Sequence, residues 1–151
     1  DAFRNDQSLL NEAITRAIRV KADVVERDER ESGERRKLNL GHTFAHAIEK
    51  CGNEFLHGEA VAIGTVMIAR LSAHLGTATQ DEADRVRRVF ERMGLPIRTE
   101  IDFKRLVKAL KHDKKKEADS VSFVLLRGIG DCEIRRFTFD EIDRLPDPAA
   151  E

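Results

Sequence analysis

Between Asp6 and Glu29 the apolar residues Leu10, Ala13, Ile14, Ala17, Ile18, Val24 and Val25 recur at helical spacing, with neither Gly nor Pro among them. That is the pattern of one long amphipathic helix. A second helical pattern runs from Arg35 to Lys50 and ends near Gly52, and a third runs from Gly58 to Leu75 and ends at Gly76. A fourth spans Asp81 to Arg92, stopped by Gly94 and Pro96, and Asp102 can cap a short helix to Lys111. One segment breaks the period. Val121, Phe123 and Leu125 alternate with other residues, Arg127-Gly128-Ile129-Gly130-Asp131 supplies turn chemistry, and Cys132 to Phe137 follows. This predicts a β-hairpin. Asp140 to Leu145 adds a last helical turn, and Pro146 to Glu151 is expected to fray. The fold class expected is mainly α, a helical bundle with a small β-hairpin.

Composition narrows what such a bundle can do. At 151 residues the chain is one domain's worth, short for a dinucleotide-binding enzyme with a separate substrate domain. With 27 basic and 28 acidic side chains no global field steers it to nucleic acid or to an anionic membrane, so any anion site is local. The most apolar stretch, Ala60 to Leu75, contains Arg70 and His74 and falls short of the roughly 20 residues of a spanning helix. It reads as a core helix. Cys51 and Cys132 make no disulfide framework, which fits buried thiols in a reducing cytoplasm. No secretory signal opens the chain, and residue 1 is Asp rather than Met, so a piece of a longer protein is expected.

The densest chemical signal is Leu38-Asn39-Leu40-Gly41-His42-Thr43-Phe44-Ala45-His46-Ala47-Ile48-Glu49. His42 and His46 lie one turn apart on a single helix face, with Arg35 and Asn39 a turn or two before them. Guanidinium, amide and two imidazoles in a row would each need a polar partner in a dry core, and suit a wet cleft that takes an anion or a metal. His57 opens the next helix. Three histidines within 16 positions can form a zinc site with an open position, provided the Lys50 to Leu56 connection folds back. Spacing alone leaves this reading and a plain set of helix-surface histidines both open. Lys21 falls on the stripe of Ile14, Ala17, Ile18 and Val25, where it either snorkels to solvent or reaches a site beyond the helix. The charged run Asp28 to Arg35 reads as a solvated loop.

Together these segments resemble a known family. Lys21-Ala22-Asp23-Val24-Val25, Asp28-Glu29-Arg30-Glu31, Arg35, the Leu38 to Glu49 segment, His57-Gly58-Glu59-Ala60-Val61-Ala62-Ile63-Gly64, His112-Asp113-Lys114-Lys115 and Val124 to Gly130 resemble, in order and spacing, the C-terminal half of 3-dehydroquinate synthases. The resemblance implies a two-domain enzyme of the shikimate pathway, cytoplasmic and homodimeric at full length. Its N-terminal NAD-binding domain would precede this chain, and residues 1–151 would be the substrate- and metal-binding half, inactive alone. Such enzymes use NAD and zinc or another divalent metal to convert a seven-carbon sugar acid phosphate into 3-dehydroquinate. The C5 hydroxyl is oxidised transiently, phosphate is eliminated, the ketone is reduced, and the ring opens and closes by an aldol step.

Carried over by position, the resemblance implies that His42 and His57 are the two histidine metal ligands, the third being a glutamate in the N-terminal half. His46, Asn39 and Lys114 match the contacts to the departing phosphate. Arg35 matches the group that holds the substrate carboxylate, where a planar two-pronged donor suits better than a point charge. Lys21 matches a lysine facing substrate hydroxyls, and Glu31 an acid of the polar network around metal and substrate. Ala45 stands where the family usually has Gly, which puts close helix packing there in question. The nearest alternatives are another sugar-phosphate cyclase, of the 2-deoxy-scyllo-inosose or valiolone type, and a metal-dependent polyol dehydrogenase. A non-catalytic helical module is the alternative from another class.

Overall fold

The structure, a computed structural model, describes residues 6–30, 33–52, 54–114 and 119–148, with the side chains of Asp113 and Lys114 outside that set. The chain divides into two compact units, Asp1–Leu38 and Asn39–Glu151.

The first unit is dominated by helix α1, Gln7–Arg27. Asp6 caps it, its carboxylate accepting from the backbone N–H of Ser8 at 2.9 Å and of Leu9 at 3.1 Å, which satisfies donors that a helix start leaves orphaned. Val24 is its one buried residue, while Leu9, Ile14, Ile18 and Val20 are exposed. The run that follows departs from a solvated loop. Asp28 is buried, and its Oδ2 accepts from the N–H of Gly33 at 2.8 Å and of Arg35 at 3.0 Å. A buried carboxylate that accepts from backbone N–H groups is satisfied without solvent.

The continuous helix expected from Arg35 to Lys50 does not form. A 3-10 helix, Glu34–Asn39, is followed by a break at Leu40-Gly41, and α2 begins afresh at His42 and ends at Cys51. Gly41 adopts φ +80°, and a Cβ there would lie 2.3 Å from Thr65 Oγ1. Glycine is the residue that accepts both the left-handed backbone and the close approach. Arg35 and Asn39 therefore do not share an α-helical face with His42 and His46.

In the second unit α3, His57–His74, is the central element: ten of its 18 residues are buried, so its apolar positions run around the helix rather than along one stripe. Against it pack α2, α4 (Gln80–Arg92) and β1 (Ser120–Leu126). Helix α5 (Phe103–Lys114) packs on α2 and β1, and β2 (Cys132–Thr138) leads into the short α6 (Phe139–Asp143). The core gathers Phe44 and Ile48 of α2, Ile63 and Leu71 of α3, Leu106 of α5 and Phe123 of β1, all fully buried. Phe123 is held edge-on between Phe44 and Phe137, each ring centre 5.5 Å away, a favoured aromatic arrangement.

The hairpin is antiparallel, in register from Ser120↔Thr138 to Leu126↔Cys132. Its turn is closed by Arg127 N–H on the Asp131 carbonyl, with Gly128 and Gly130 at positive φ. Helix side chains meet the outward edge of β1. Leu126 N–H donates to the buried Ser72 Oγ at 2.8 Å, and Thr43 Oγ1 donates to the Ser122 carbonyl at 3.3 Å. Both bonds occupy polar groups on the strand edge that faces away from β2. Two expectations are corrected. Pro148 is fully buried and its carbonyl accepts from Arg70 Nη1 at 3.3 Å, so the chain is docked at least that far. Cys51 and Cys132 are half-buried rather than buried thiols, and no disulfide joins them.

Candidate functional site

The small residues where α2 meets α3 determine where the histidines stand. A Cβ on Gly64 would lie 2.2 Å from the Gly41 carbonyl oxygen and 2.9 Å from Ala45 N. The first turn of α2 thus rests directly on the backbone of α3. Ala45 is itself fully buried at this crossing, so its methyl group is accommodated while Gly64 supplies the close approach. The connection after Cys51 folds back, and His57, first residue of α3, returns to the histidine face of α2.

Three imidazoles are brought together there. Ring centres are 5.5 Å apart for His42 and His57, 5.9 Å for His42 and His46, and 6.3 Å for His46 and His57. A metal bonded to a ring nitrogen at about 2.0–2.1 Å lies about 3.2 Å from that ring's centre, so two rings on one tetrahedral metal have centres about 5.2 Å apart. His42 and His57 come nearest to that spacing. Their tautomers can be read from their partners. His42 Nδ1 donates to the Leu40 carbonyl at 3.3 Å, and His57 Nδ1 donates to Glu49 Oε1 at 2.8 Å. Carbonyl and ionised carboxylate oxygens only accept, so both Nδ1 atoms are the donors, and in the neutral form of each ring the lone pair then lies on Nε2. Neutral imidazole nitrogens of this kind suit zinc or a similar borderline cation. Among the described residues no three His, Cys, Asp or Glu side chains are disposed to hold a metal, so the pair fits as part of a ligand set, not the whole of it.

His46 is exposed on the same face of α2, and Asn39 is exposed at the end of the 3-10 helix. In the first unit Lys21 is exposed on α1. Arg35 is half-buried, its backbone held by Asp28 and its Nη1 donating to the Glu29 carbonyl at 3.0 Å. Glu31 and the side chain of Lys114 lie outside the described residues. Reading by residue type passed over Glu49. It lies seven positions after His42 on α2, so the helical spacing that paired His42 with His46 also puts Glu49 on that face.

Two clefts lie away from the histidines. One of about 760 Å³ is lined by Glu100, Asp102, Asp143 and Asp147 with Lys104 as its one basic residue. A smaller one gathers Lys104, Lys108, Lys111 and His112, and there Lys111 is already paired with Asp143 at 2.5 Å.

The sequence matches the protein family described as 3-dehydroquinate synthase C-terminal over residues 1–116. It is 47% identical over 128 residues to the 3-dehydroquinate synthase of Nitrosomonas europaea, covering 83% of this chain and 35% of that protein. It is 48% identical over 142 residues to that of Pseudomonas fluorescens, covering 89% and 38%. The chain therefore spans little more than a third of the length of these relatives. Among solved structures, a 2-epi-5-epi-valiolone synthase from Streptomyces hygroscopicus subsp. jinggangensis with NAD+ and Zn2+ bound superposes with TM-score 0.72 at 29% identity, over 87% of this chain and 37% of that one. A 2-deoxy-scyllo-inosose synthase complexed with carbaglucose-6-phosphate, NAD+ and Co2+ shares the fold, with TM-score 0.73 at 23% identity over 87% and 39%.

Proposed function

The chain belongs to the 3-dehydroquinate synthase family, matching its C-terminal domain, and on that premise we propose that it is the substrate- and metal-binding half of a 3-dehydroquinate synthase. The full-length enzyme would convert 3-deoxy-D-arabino-heptulosonate 7-phosphate to 3-dehydroquinate with release of phosphate, a lyase reaction of the shikimate pathway. The observation that carries the reading is the pair His42 and His57, at 5.5 Å with both Nδ1 protons committed.

In this reading His42 and His57 hold a divalent metal, zinc by preference, with the third ligand from a preceding NAD-binding domain. A metal held there would supply Lewis acidity toward an oxygen of the sugar, and NAD held by the preceding domain would supply the redox chemistry. The chain's own residues bind and orient. His46, Asn39 and Lys114 offer N–H donors to the departing phosphate, where charge develops as the C–O bond breaks. Arg35 takes the substrate carboxylate. The Asp28 anchor on its backbone supports this, since a guanidinium fixed before substrate arrives loses less freedom on binding. Lys21 faces substrate hydroxyls, and Glu31 joins the surrounding polar network. A homodimer in the cytoplasm completes the proposal. The near-zero net charge agrees with that setting.

A second reading, another sugar-phosphate cyclase, is favoured by the valiolone synthase neighbour. The 47–48% identity to 3-dehydroquinate synthases favours the first. The test is phosphate release by the full-length protein, with NAD and a divalent metal, from the heptulosonate phosphate and from other sugar phosphates. Release from the heptulosonate phosphate is expected. Release only from another sugar phosphate would establish the second reading instead.

A further inference from the structure

We infer that Glu49 is a positioning residue that fixes the tautomer and ring orientation of His57, so that its Nε2 stands ready for the cation. The inference rests on the proposed metal-binding role of His57. Three observations carry it. Glu49 projects from the α2 face that also bears His42 and His46, and its Oε1 accepts from His57 Nδ1 at 2.8 Å. An ionised carboxylate can only accept, so this bond selects, of the two neutral tautomers, the one with hydrogen on Nδ1, which leaves the Nε2 lone pair to face a cation. The partner is also well placed to act. Glu49 is anchored on a helix packed into the core, its side chain 33% exposed, whereas the His57 side chain is 59% exposed at the first position of α3.

An imidazole that exposed has few apolar neighbours to hold its ring, so orientation falls to the hydrogen bond. His42 solves the same problem with a backbone carbonyl, that of Leu40. Each imidazole of the pair is thus held through Nδ1 by an acceptor on the α2 side, and the two acceptors differ in charge. Carboxylate acceptors behind imidazole ligands both orient the ring and raise its basicity toward the metal, and their removal typically weakens metal affinity by about 10–100-fold. An ordinary exposed ion pair between Glu49 and His57 would contribute little to stability and would leave neither tautomer nor metal affinity dependent on Glu49.

The experiment uses full-length protein labelled with ¹⁵N at histidine, in wild-type, Glu49→Ala, Glu49→Gln, His42→Ala and His57→Ala forms. Ring nitrogen shifts of the metal-free protein are read in mildly alkaline buffer, and Zn2+ affinity is measured by competition with a chromogenic chelator. The expected result is a His57 ring held with its proton on Nδ1 in the wild type, released to a mixture in Glu49→Ala and retained in Glu49→Gln, whose amide oxygen still accepts. Zinc affinity should fall about 10–100-fold in Glu49→Ala and recover substantially in Glu49→Gln. An unchanged His57 tautomer and unchanged zinc affinity in Glu49→Ala, with zinc still lost in His57→Ala, would overturn the role of Glu49 and leave the metal reading standing. Zinc binding indifferent to both His42→Ala and His57→Ala would overturn the metal reading and the inference with it.

Discussion

His42 and His46 differ by one helical turn, and the structure gives a physical reason for assigning them different work. His42 has its Nδ1 committed to the Leu40 carbonyl and its ring 5.5 Å from that of His57, while His46 is exposed and stands 6.3 Å from His57. In the full-length enzyme His42→Ala should therefore lose the metal, and His46→Ala should keep it while phosphate elimination slows by about 10²-fold or more, the scale of losing one well-placed transition-state donor. Metal analysis of both variants beside wild type, with phosphate release, checks this. Equal loss of zinc in the two would return the site to a plain H-x-x-x-H metal pair. Ser72 offers a purely structural counterpart. Its buried hydroxyl donates to the Ile68 carbonyl and accepts from Leu126 N–H. Ser72→Ala should cost about 1–3 kcal/mol by leaving a buried N–H without a partner, read as a lowered urea midpoint.

At the scale of elements, the crossing of α2 and α3 is what converts helical spacing into a site. Gly64→Ala would drive a methyl group to 2.2 Å from the Gly41 carbonyl oxygen, so the helices must separate. A loss of about 1–3 kcal/mol is expected from overpacking, together with weaker zinc binding as His42 and His57 move apart, measured by denaturation and chelator competition. This crossing shows what the sequence could and could not reveal. Helices α1, α3 and α4 and the hairpin were legible because their apolar residues persist over several turns or alternate cleanly, and the helix ends carry Asp6, Gly76, Gly94 and Pro96. The restart at His42 was not, because an isolated glycine in an apolar helical pattern is tolerated and does not by itself mark a break. Only tertiary contact with Gly64 and Thr65 requires the left-handed turn at Gly41. Nor could spacing choose between His46 and His57 as the partner of His42, since that depends on the fold of the connection. Buried Asp28 and the bond from His57 to Glu49 were hidden for the same reason: charge alone reads as solvent-facing.

Two helix starts also tie stability to pH. In Thr79–Glu82 and Thr138–Glu141 the glutamate accepts from the threonine backbone N–H and hydroxyl, and these bonds, the backbone one foremost, hold both carboxyls below the ordinary value of 4.5. A depressed folded-state pKa contributes stability that is present above the unfolded value and is lost as pH falls through the folded one. The difference in melting temperature between wild type and Glu82→Gln should accordingly be constant near neutrality and shrink as the pH drops below 4.5. A gap that stayed constant into that acid range would show that the capping carboxylate is not the cause.

For the molecule as a whole, the decisive quantity is how much of an active centre this chain can supply. A catalytic zinc commonly takes three protein ligands and keeps one open position. Here the fitting donors are His42 and His57, with no third among the described residues. The relatives are close to three times as long as the aligned segment, and the valiolone synthase of like fold was solved with NAD+ as well as Zn2+. A half-built ligand set binds weakly, because the missing donor contributes both bond energy and charge neutralisation. The chain of 151 residues on its own should thus show no NAD-dependent phosphate release from the heptulosonate phosphate, and its zinc affinity should lie orders of magnitude below that of the full-length protein. Its core gives the second unit what it needs to fold. The exposed Leu9, Ile14, Ile18 and Val20 leave α1 with little burial of its own, and a helix without a packed face is marginal. Amide exchange in α1 should then be faster than in α3 by about the gap between local fraying and global unfolding. Adding the N-terminal half of a close relative in trans is expected to restore both activity and protection in α1. Phosphate release by the unassisted chain would contradict the division of labour proposed here, whatever the exchange pattern.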